Sequence, residues 1–380
     1  MVNSISEDTS LYSIAHISLR LSGLIRMEGN ETLSFLYMAS IHLKLFTFGI
    51  SLLLEICKGA KDFEILIEQW SVFATYLTIL SRFIHFFSKQ QQILHIFNTL
   101  EAIDEEMSKD EESRYFTKVA ENFGRKIIKI TTIFISSSPI LWFILSTIYD
   151  IQTNFKNKRL IAQMWIPWSM EQTWAYMLTK IFSSFISLGV IVAYRAVFVF
   201  DFVFTFQMSA YLKILQNYLE TKGVKDVKIF QQHKLLIELI NDYNKFISGF
   251  KFFDVALVPL MPCGFGLTIL KTLKRSGTIS FDSFQRIIIV IIPTVITCLC
   301  GQELIIQVER LHEASYMSNW YGHDQSYRRN LLTLMIRTTK VTTVNYRLFV
   351  TFDRDLLSQV LQRMYSYFMV IYGFVDTTDD

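Results

Sequence analysis

Long apolar stretches alternate with shorter polar connections along this chain. Seven of the stretches reach or approach about 20 residues, the length of helix that crosses the hydrocarbon core of a bilayer. Prolines inside some of them predict local kinks, which membrane helices tolerate. The pattern therefore predicts an all-α membrane protein with seven transmembrane helices. The predicted spans are Ser40–Cys57, Ile65–Phe87, Ile127–Tyr149, Trp174–Phe200, Phe250–Leu273, Phe284–Ile306 and Leu356–Val375.

Three segments outside the spans repeat apolar residues at helical spacing. An amphipathic helix is stable when its apolar face is buried, so these segments predict cytosolic helical extensions of the spans. We expect them to form an assembly domain, although packing within one subunit fits the same pattern. A shorter amphipathic helix is predicted over 11–24, either along the inner membrane surface or packed on the bundle. The three apolar faces are Leu212, Leu215 and Leu219; Phe230, Leu236, Ile240, Tyr243 and Ile247; and Leu331, Leu334 and Met335.

The last predicted helix, Asp355–Val375, carries a stripe that is polar at its beginning and apolar at its end. Polar groups in hydrocarbon are costly, so the stripe predicts either a packing surface against neighbouring helices or the wall of a pore. A polar vestibule closed by bulky apolar side chains is one form of dewetting gate. This C-terminal stripe consists of Gln359, Gln362, Arg363, Ser366, Val370, Gly373 and Phe374.

Lysine and arginine are concentrated between the second and third, the fourth and fifth, and the sixth and seventh spans. Because cytosolic loops carry the excess of basic residues, the N-terminus is predicted to be cytosolic and the C-terminus extracellular. This orientation is opposite to that of G-protein-coupled receptors, the usual class with seven spans. The sequon Asn30-Glu31-Thr32 then lies in the cytosol, and we expect it to remain unmodified.

Composition and motifs exclude several functional classes. Charged residues make up 19% of the chain, against about 25% in average soluble domains. Cys298 and Cys300 have no cysteine or histidine partners at ligand spacing, so neither a metal nor a cofactor is predicted. The chain has no nucleophile elbow, P-loop, HExxH or dinucleotide fingerprint, and no nucleic-acid-binding signature, so neither an enzyme nor a nucleic-acid partner is predicted. Binding of an apolar small molecule within the bundle remains.

The segment Tyr365-Ser366-Tyr367-Phe368, followed by Met369-Val370-Ile371-Tyr372, resembles the C-terminal signature of insect odorant receptors. The region from Glu313 through Trp320 to Arg337 is similar to the penultimate segment of that family. The resemblance implies a tetrameric, ligand-gated cation channel in the plasma membrane of olfactory sensory neurons. The chain lacks the extended cytosolic loop of the family's co-receptor, so it resembles an odour-tuning subunit. A gustatory receptor remains an alternative, and a G-protein-coupled receptor a less favoured one.

The resemblance also implies partners and site residues. The expected partners are co-receptor subunits, a small volatile organic odorant, membrane lipid and cations. The last helix would line the pore with Gln362 and Ser366, and its gate would fall on Val370 and Phe374 with Gly373 between them. The family's odorant pocket lies in the outer half of spans two, three, four and six, although each candidate residue taken singly also fits ordinary helix packing. The candidates are Phe73, Tyr76 and Leu77; Ser138 and Trp142; Met177 and Ile181; and Thr294.

These expectations divide the chain into six segments. They are a cytosolic N-terminal segment with the amphipathic helix (1–39), spans one to four as the ligand-binding bundle (40–206), cytosolic helical extensions (207–249), spans five and six (250–306), a cytosolic anchor segment (307–354), and the pore-lining helix with its acidic extracellular tail (355–380). The outer connection Met164–Trp168 is expected either to cap the pocket or to anchor the chain at the membrane interface.

Overall fold

A computed structural model describes residues 10–26, 31–59, 63–107, 109–155, 160, 164–221, 228–276, 281–339, 343–346 and 350–378. These residues form twelve α-helices, one turn of 3-10 helix at Trp320–Gly322 and a small hairpin of two strands, β1 (Asn345–Tyr346) and β2 (Val350–Thr351). The helices are α1 (Leu11–Leu21), α2 (Glu31–Cys57), α3 (Phe63–Ser88), α4 (Gln90–Met107), α5 (Glu111–Gln152), α6 (Thr173–Thr221), α7 (Lys228–Ile247), α8 (Lys251–Leu257), α9 (Met261–Ser276), α10 (Phe281–Met317), α11 (Gln325–Thr339) and α12 (Arg354–Thr378).

Each of the seven predicted spans falls on a helix or, for the fifth, on the pair α8 and α9. Within the described residues, five segments are long and apolar enough to cross a membrane, and they belong to α2, α5, α6, α8 with α9, and α10. The remaining two spans, α3 and α12, are more polar. The sequence of α3 includes Glu68 and Arg82, and α12 carries the C-terminal stripe.

Three helices continue well beyond the thickness of a membrane. With 42, 49 and 37 residues, α5, α6 and α10 are about 63, 74 and 56 Å long at 1.5 Å per residue. Their extensions pack with α4, α7 and α11 at the end of the bundle that is predicted to be cytosolic. Within this region Leu215, Leu236 and Leu334 are buried inside the single chain. The predicted amphipathic extensions are therefore helices, and their apolar faces are covered within one subunit.

The prolines have two different effects on the spans. Pro139 and Pro293 lie inside the continuous helices α5 and α10. Pro259 instead lies in a turn at 258–260 that separates the seven-residue α8 from α9. Because proline lacks the N–H that continues a helical ladder, the fifth span is interrupted here rather than only kinked.

The N-terminal helix α1 packs on the bundle, which is one of the two positions that the sequence allowed. Leu11, Ala15 and Leu19 are fully buried, and α1 packs mainly against α6. A Cβ atom at Gly124 of α5 would lie 2.8 Å from Leu11, so the glycine permits this close approach. Asn30 of the sequon lies outside the described residues.

The segment before α12 forms a small hairpin that docks on α7. Strands β1 and β2 pair antiparallel, with Asn345 opposite Thr351. Asn244 of α7 donates to the carbonyl of Thr343 and accepts from the backbone N–H of Asn345, at 2.8 and 3.1 Å. Asp353 then caps α12 by accepting from the N–H of Leu356 at 2.8 Å. The start of α12 is thereby fixed to α7.

Candidate functional site

The two faces of α12 differ in their surroundings. The apolar face packs on the bundle, with Val360 buried and Met364, Phe368 and Ile371 half-buried. A Cβ atom at Gly266 of α9 would lie 2.9 Å from the Phe368 ring, so α9 and α12 are closely packed. Leu361 departs from the predicted pattern, since it belongs to the apolar face and is 44% exposed.

The C-terminal stripe points away from the bundle of its own chain. Val370 and Phe374 are 59% and 62% exposed, and Gln362, Ser366 and Gly373 are also exposed. The stripe is therefore not a packing surface within one chain. An exposed polar face on a helix at membrane depth requires water or another subunit, because polar groups in hydrocarbon are costly.

The three candidate ligand residues on α3 pack among neighbouring side chains. The rings of Phe73 and Tyr76 are buried and stack with centroids 6.0 Å apart. Tyr76 also meets Phe48 of α2 edge-on, and a Cβ atom at Gly49 would lie 2.1 Å from its hydroxyl. Leu77 is half-buried against the core. Tyr76 therefore fills the contact between α2 and α3.

The candidate ligand residues on α5 and α6 lie beside a buried lysine, Lys180, that the sequence did not lead us to expect. Ser138 and Trp142 are buried, Met177 is half-buried and Ile181 is 51% exposed. Between them lies Lys180, which is completely buried and whose ammonium is 5.6 Å from the centroid of the Trp142 ring. A lysine inside a predicted span was the available signal, because charged residues within membrane helices are rare and usually functional.

Lys180 is paired across the contact between α5 and α6. Its ammonium lies 2.5 Å from an oxygen of Asp150, and the Tyr176 hydroxyl donates to the same oxygen at 2.7 Å. The rings of Phe143 and Tyr176 are 5.9 and 5.6 Å from the ammonium. The group combines a neutralised ion pair with aromatic faces, which attract cations.

The outer connection Met164–Trp168 lies across the ends of two helices. The backbone N–H of Trp165 donates to the carbonyl of Ser51 on α2 at 2.9 Å. The indole N–H of Trp168 donates to the Thr179 hydroxyl on α6, also at 2.9 Å. Met164 packs against the core. This segment therefore covers the outer end of the bundle near Lys180.

A cavity of about 50 Å³ lies deeper in the bundle, towards the predicted cytosolic end. Thr294 lines it, and the other seven candidate ligand residues do not. Its volume is far below the roughly 300 Å³ at which small-molecule pockets begin, and it has room for a few water molecules. The structure thus separates Thr294 from the groups around Phe73 and Trp142.

Four charged side chains line this cavity, and we call them the ion network. They form two cross-helix pairs. Arg82 of α3 donates to both oxygens of Asp254 of α8 at 2.8 Å, and Lys251 of α8 donates to Asp201 of α6 at 2.5 Å. Lys251 also lies 3.5 Å from Asp254, which joins the two pairs. The four charges sum to zero, so each buried charge is compensated locally.

A tyrosine of α7 completes the ion network. The Tyr243 hydroxyl of α7 donates to the second oxygen of Asp201 at 2.8 Å. Burial and the nearby Asp201 carboxylate raise the pKa of Tyr243 well above its ordinary value, so the phenol remains a neutral donor. The described residues contain no group of three or more histidine, cysteine, aspartate or glutamate side chains that could hold a metal ion.

Comparison with known proteins gives a consistent family. Residues 62–365 match the family described as 7tm Odorant receptor. Similar curated proteins of Drosophila melanogaster include putative odorant receptor 69a, isoform B, which is 27% identical over 56% of this chain and 57% of its own length. Odorant receptor 47a is 24% identical over 55% of this chain and 57% of its own length. The chain thus spans little more than half the length of these relatives.

Solved structures show the same fold. The insect olfactory receptor OR5 from Machilis hrabei in complex with eugenol superposes with a TM-score of 0.78. The identity is 14%, and the match covers 96% of this chain and 97% of that one. A second structure of OR5 from Machilis hrabei gives a TM-score of 0.79 at 14% identity over 94% of this chain and 96% of that one. The likeness confirms the predicted all-α, seven-helix architecture.

The relatives and the structural neighbours are receptors, not enzymes. Together with the long apolar helices, the family match identifies a multi-pass membrane protein. The match extends over more than half of the chain, and this protein therefore belongs to the odorant receptor family.

Proposed function

We propose that this chain is the odour-tuning subunit of a ligand-gated, non-selective cation channel. It would assemble with co-receptor subunits as a heterotetramer in the plasma membrane of olfactory sensory neurons. The observation that carries this proposal is the exposure of the C-terminal stripe. Gln362 and Ser366 would form a hydrated wall, and Val370 and Phe374 would form the apolar neck, on a face that the chain's own helices leave uncovered.

The proposed ligand is a small volatile organic molecule bound towards the outer ends of α3, α5 and α6. Trp142 and Met177 would provide apolar contacts there, under the segment Met164–Trp168. The eugenol complex of OR5 supports a small organic ligand for this fold. Phe73, Tyr76, Leu77, Ser138, Ile181 and Thr294 remain proposed contacts, and Ile181 would require a partner surface or lipid on its exposed side.

Recordings from cells that express the chain with and without the co-receptor test this function. We expect currents evoked by some members of an odorant panel, and only when both subunits are present. Trp142→Ala should change the ranking of odorants while surface expression is kept. Tyr76→Ala, at the other proposed aromatic contact, should change the ranking as well. Because truncation of a buried aromatic residue costs about 3–5 kcal/mol of stability, loss of surface expression with no change of ranking would assign both rings to the core instead. A wild-type chain that reaches the surface with the co-receptor and gives no evoked current would contradict the proposal.

A further inference from the structure

We propose that the ion network positions α8 so that the helices of the ligand-binding bundle control the base of α12. The ion network of Arg82, Asp201, Lys251 and Asp254 would hold α8 in its resting position. Binding of an odorant would shift the equilibrium between intact and broken ion pairs. This inference rests on the proposed channel function. It adds a specific set of residues through which the pocket and the pore communicate.

Two ion pairs attach α8 to two sides of the bundle. Asp254 is bound to Arg82 of α3, and Lys251 is bound to Asp201 of α6. These side chains are nearly or fully buried, with Lys251 4% exposed and Asp201 3% exposed. Breaking one pair leaves an uncompensated charge in a low-dielectric interior, so α8 strongly prefers this position.

The element that carries these two charges is a short helix. Helix α8 has seven residues, and the regular helical ladder is interrupted at 258–260, where the Leu260 N–H donates to the Leu257 carbonyl at 3.0 Å. The cavity beside it contributes space into which side chains can shift without overpacking. Lys251 and Asp254 are the buried residues of α8, so the ion pairs largely fix its position, and the proposed coupling uses a second arrangement in which one pair is broken.

The opposite wall of the same cavity belongs to the base of the pore helix. Phe352, Leu356 and Val360 line it, and the Lys251 ammonium lies 5.1 Å from the centroid of the Phe352 ring. Phe352 immediately precedes the cap of α12. A displacement of Lys251 would therefore remove its contact with Phe352, the residue between the hairpin and the cap of α12.

The ligand side of the bundle reaches the cavity through α3 and α6. Thr78 lines the cavity and follows directly on the candidate ligand residues Tyr76 and Leu77 of α3. Tyr194 of α6 also lines it, with its ring centroid 5.0 Å from the Arg82 guanidinium. A rotation of α3 on odorant binding would move Thr78 and Arg82 together, since both belong to one rigid helix.

Neutralisation and charge exchange of one pair test the proposal in cells that also express the co-receptor. Asp254→Asn should raise the ligand-independent current per surface receptor about fivefold or more, the lower end of the range for coupling between two sites. The half-maximal odorant concentration should fall, because a variant that favours the arrangement selected by the odorant also raises the apparent affinity for it. Arg82→Lys, which keeps the charge and changes its geometry, should give a smaller rise. The exchange Arg82→Asp with Asp254→Arg should restore a low resting current.

Glu121→Gln is the matched control. It neutralises a partly buried carboxylate on α5 that pairs with Arg125 at 3.0 Å and does not line the cavity, so the resting current should remain at the wild-type level. The proposal is overturned if Asp254→Asn or Arg82→Lys reaches the surface and keeps the wild-type resting current. It is also overturned if every variant of the pair, including Arg82→Lys, is lost from the surface, since the network is then only a folding contact. An absent odorant response in the wild type would count against the channel function, and the resting current of the variants would still test the coupling.

Discussion

Val370 and Phe374 lie one helical turn apart on the exposed face of α12. Apolar side chains that meet around a narrow neck exclude water, and ions do not cross without hydration. We predict that Val370→Ser or Phe374→Ser, expressed with the co-receptor, raises the ligand-independent current severalfold. Phe368→Ala is the control on the opposite face, and it should lower surface expression because Phe368 packs on α9. Serine variants that traffic normally with unchanged resting current and ion selectivity would assign the stripe to subunit packing.

Gly301 of α10 makes a contact that no other residue type would allow. A Cβ atom there would lie 1.9 Å from the Phe352 carbonyl oxygen, so a side chain would push the hairpin away from α10. We predict that Gly301→Ala lowers the free energy of unfolding by about 1–3 kcal/mol, measured by thermal unfolding in detergent. Gly189→Ala is the control, since a Cβ atom at Gly189 meets nothing within 4 Å. A neutral Gly301→Ala would mean that the hairpin does not dock there.

At this scale, sequence periodicity predicted which side chains share a face but not what they touch. The separation of Val360 from Gln362 on α12 follows from 100° per residue and is found. The contact of Tyr76 with Gly49 depends on how α2 and α3 rotate against each other, which the sequence does not determine. Lys180 and Asp150 are 30 residues apart, and their pairing required the antiparallel register of α5 and α6.

His233 of α7 is buried close to Arg337 of α11, so a proton on its imidazole would destabilise the packing of these two helices. His233 is 4% exposed, and burial together with nearby Arg337 lowers its pKa to about 4. The unfolded chain takes up a proton near pH 6.5, whereas the folded protein resists protonation until about pH 4. The stabilisation from neutral His233 is therefore present above pH 6.5 and is lost as the pH falls.

We predict that the wild type loses roughly 2 kcal/mol of unfolding free energy through His233 between pH 7.5 and pH 5. His233→Gln cannot titrate and should flatten the unfolding temperature over this range in detergent. His95→Gln, at a histidine that is two-thirds exposed, is the matched control variant. A pH profile that is identical in wild type and His233→Gln would show that the histidine is accessible to protons in the folded state.

Helices were predicted well where one apolar pattern extends over a long segment. The interruption at Pro259 and the short hairpin were not predicted. The continuous helices α5, α6 and α10 follow from sustained apolar periodicity, and prolines did not interrupt α5 or α10. Pro259 did interrupt its helix, and unlike Pro139 it is followed within five residues by Pro262 and Gly264. The hairpin of β1 and β2 has two residues per strand, so its stability comes from Asn244 rather than from strand propensity.

The whole molecule joins a membrane bundle to an internally packed end, and the distribution of lysine and arginine predicts that this end is cytosolic. We predict that an epitope tag after Asp380 is stained on intact cells, and that Asn30→Gln leaves electrophoretic mobility unchanged because a cytosolic sequon is not glycosylated. A tag reached only after permeabilisation, or a glycosidase-sensitive shift that depends on Asn30, would reverse the orientation.

The pairing of Arg82 with Asp254 has a consequence for the synthesis of the protein. The two residues are 172 positions apart, so at 5–20 residues per second the ribosome makes the arginine roughly ten to thirty seconds before its partner. During that interval α3 contains a cation without its counter-ion, and its long side chain is expected to reach the cytosolic interface. We therefore expect α3 to reach its final position in the bundle only after α8, in the fifth span, has been synthesised.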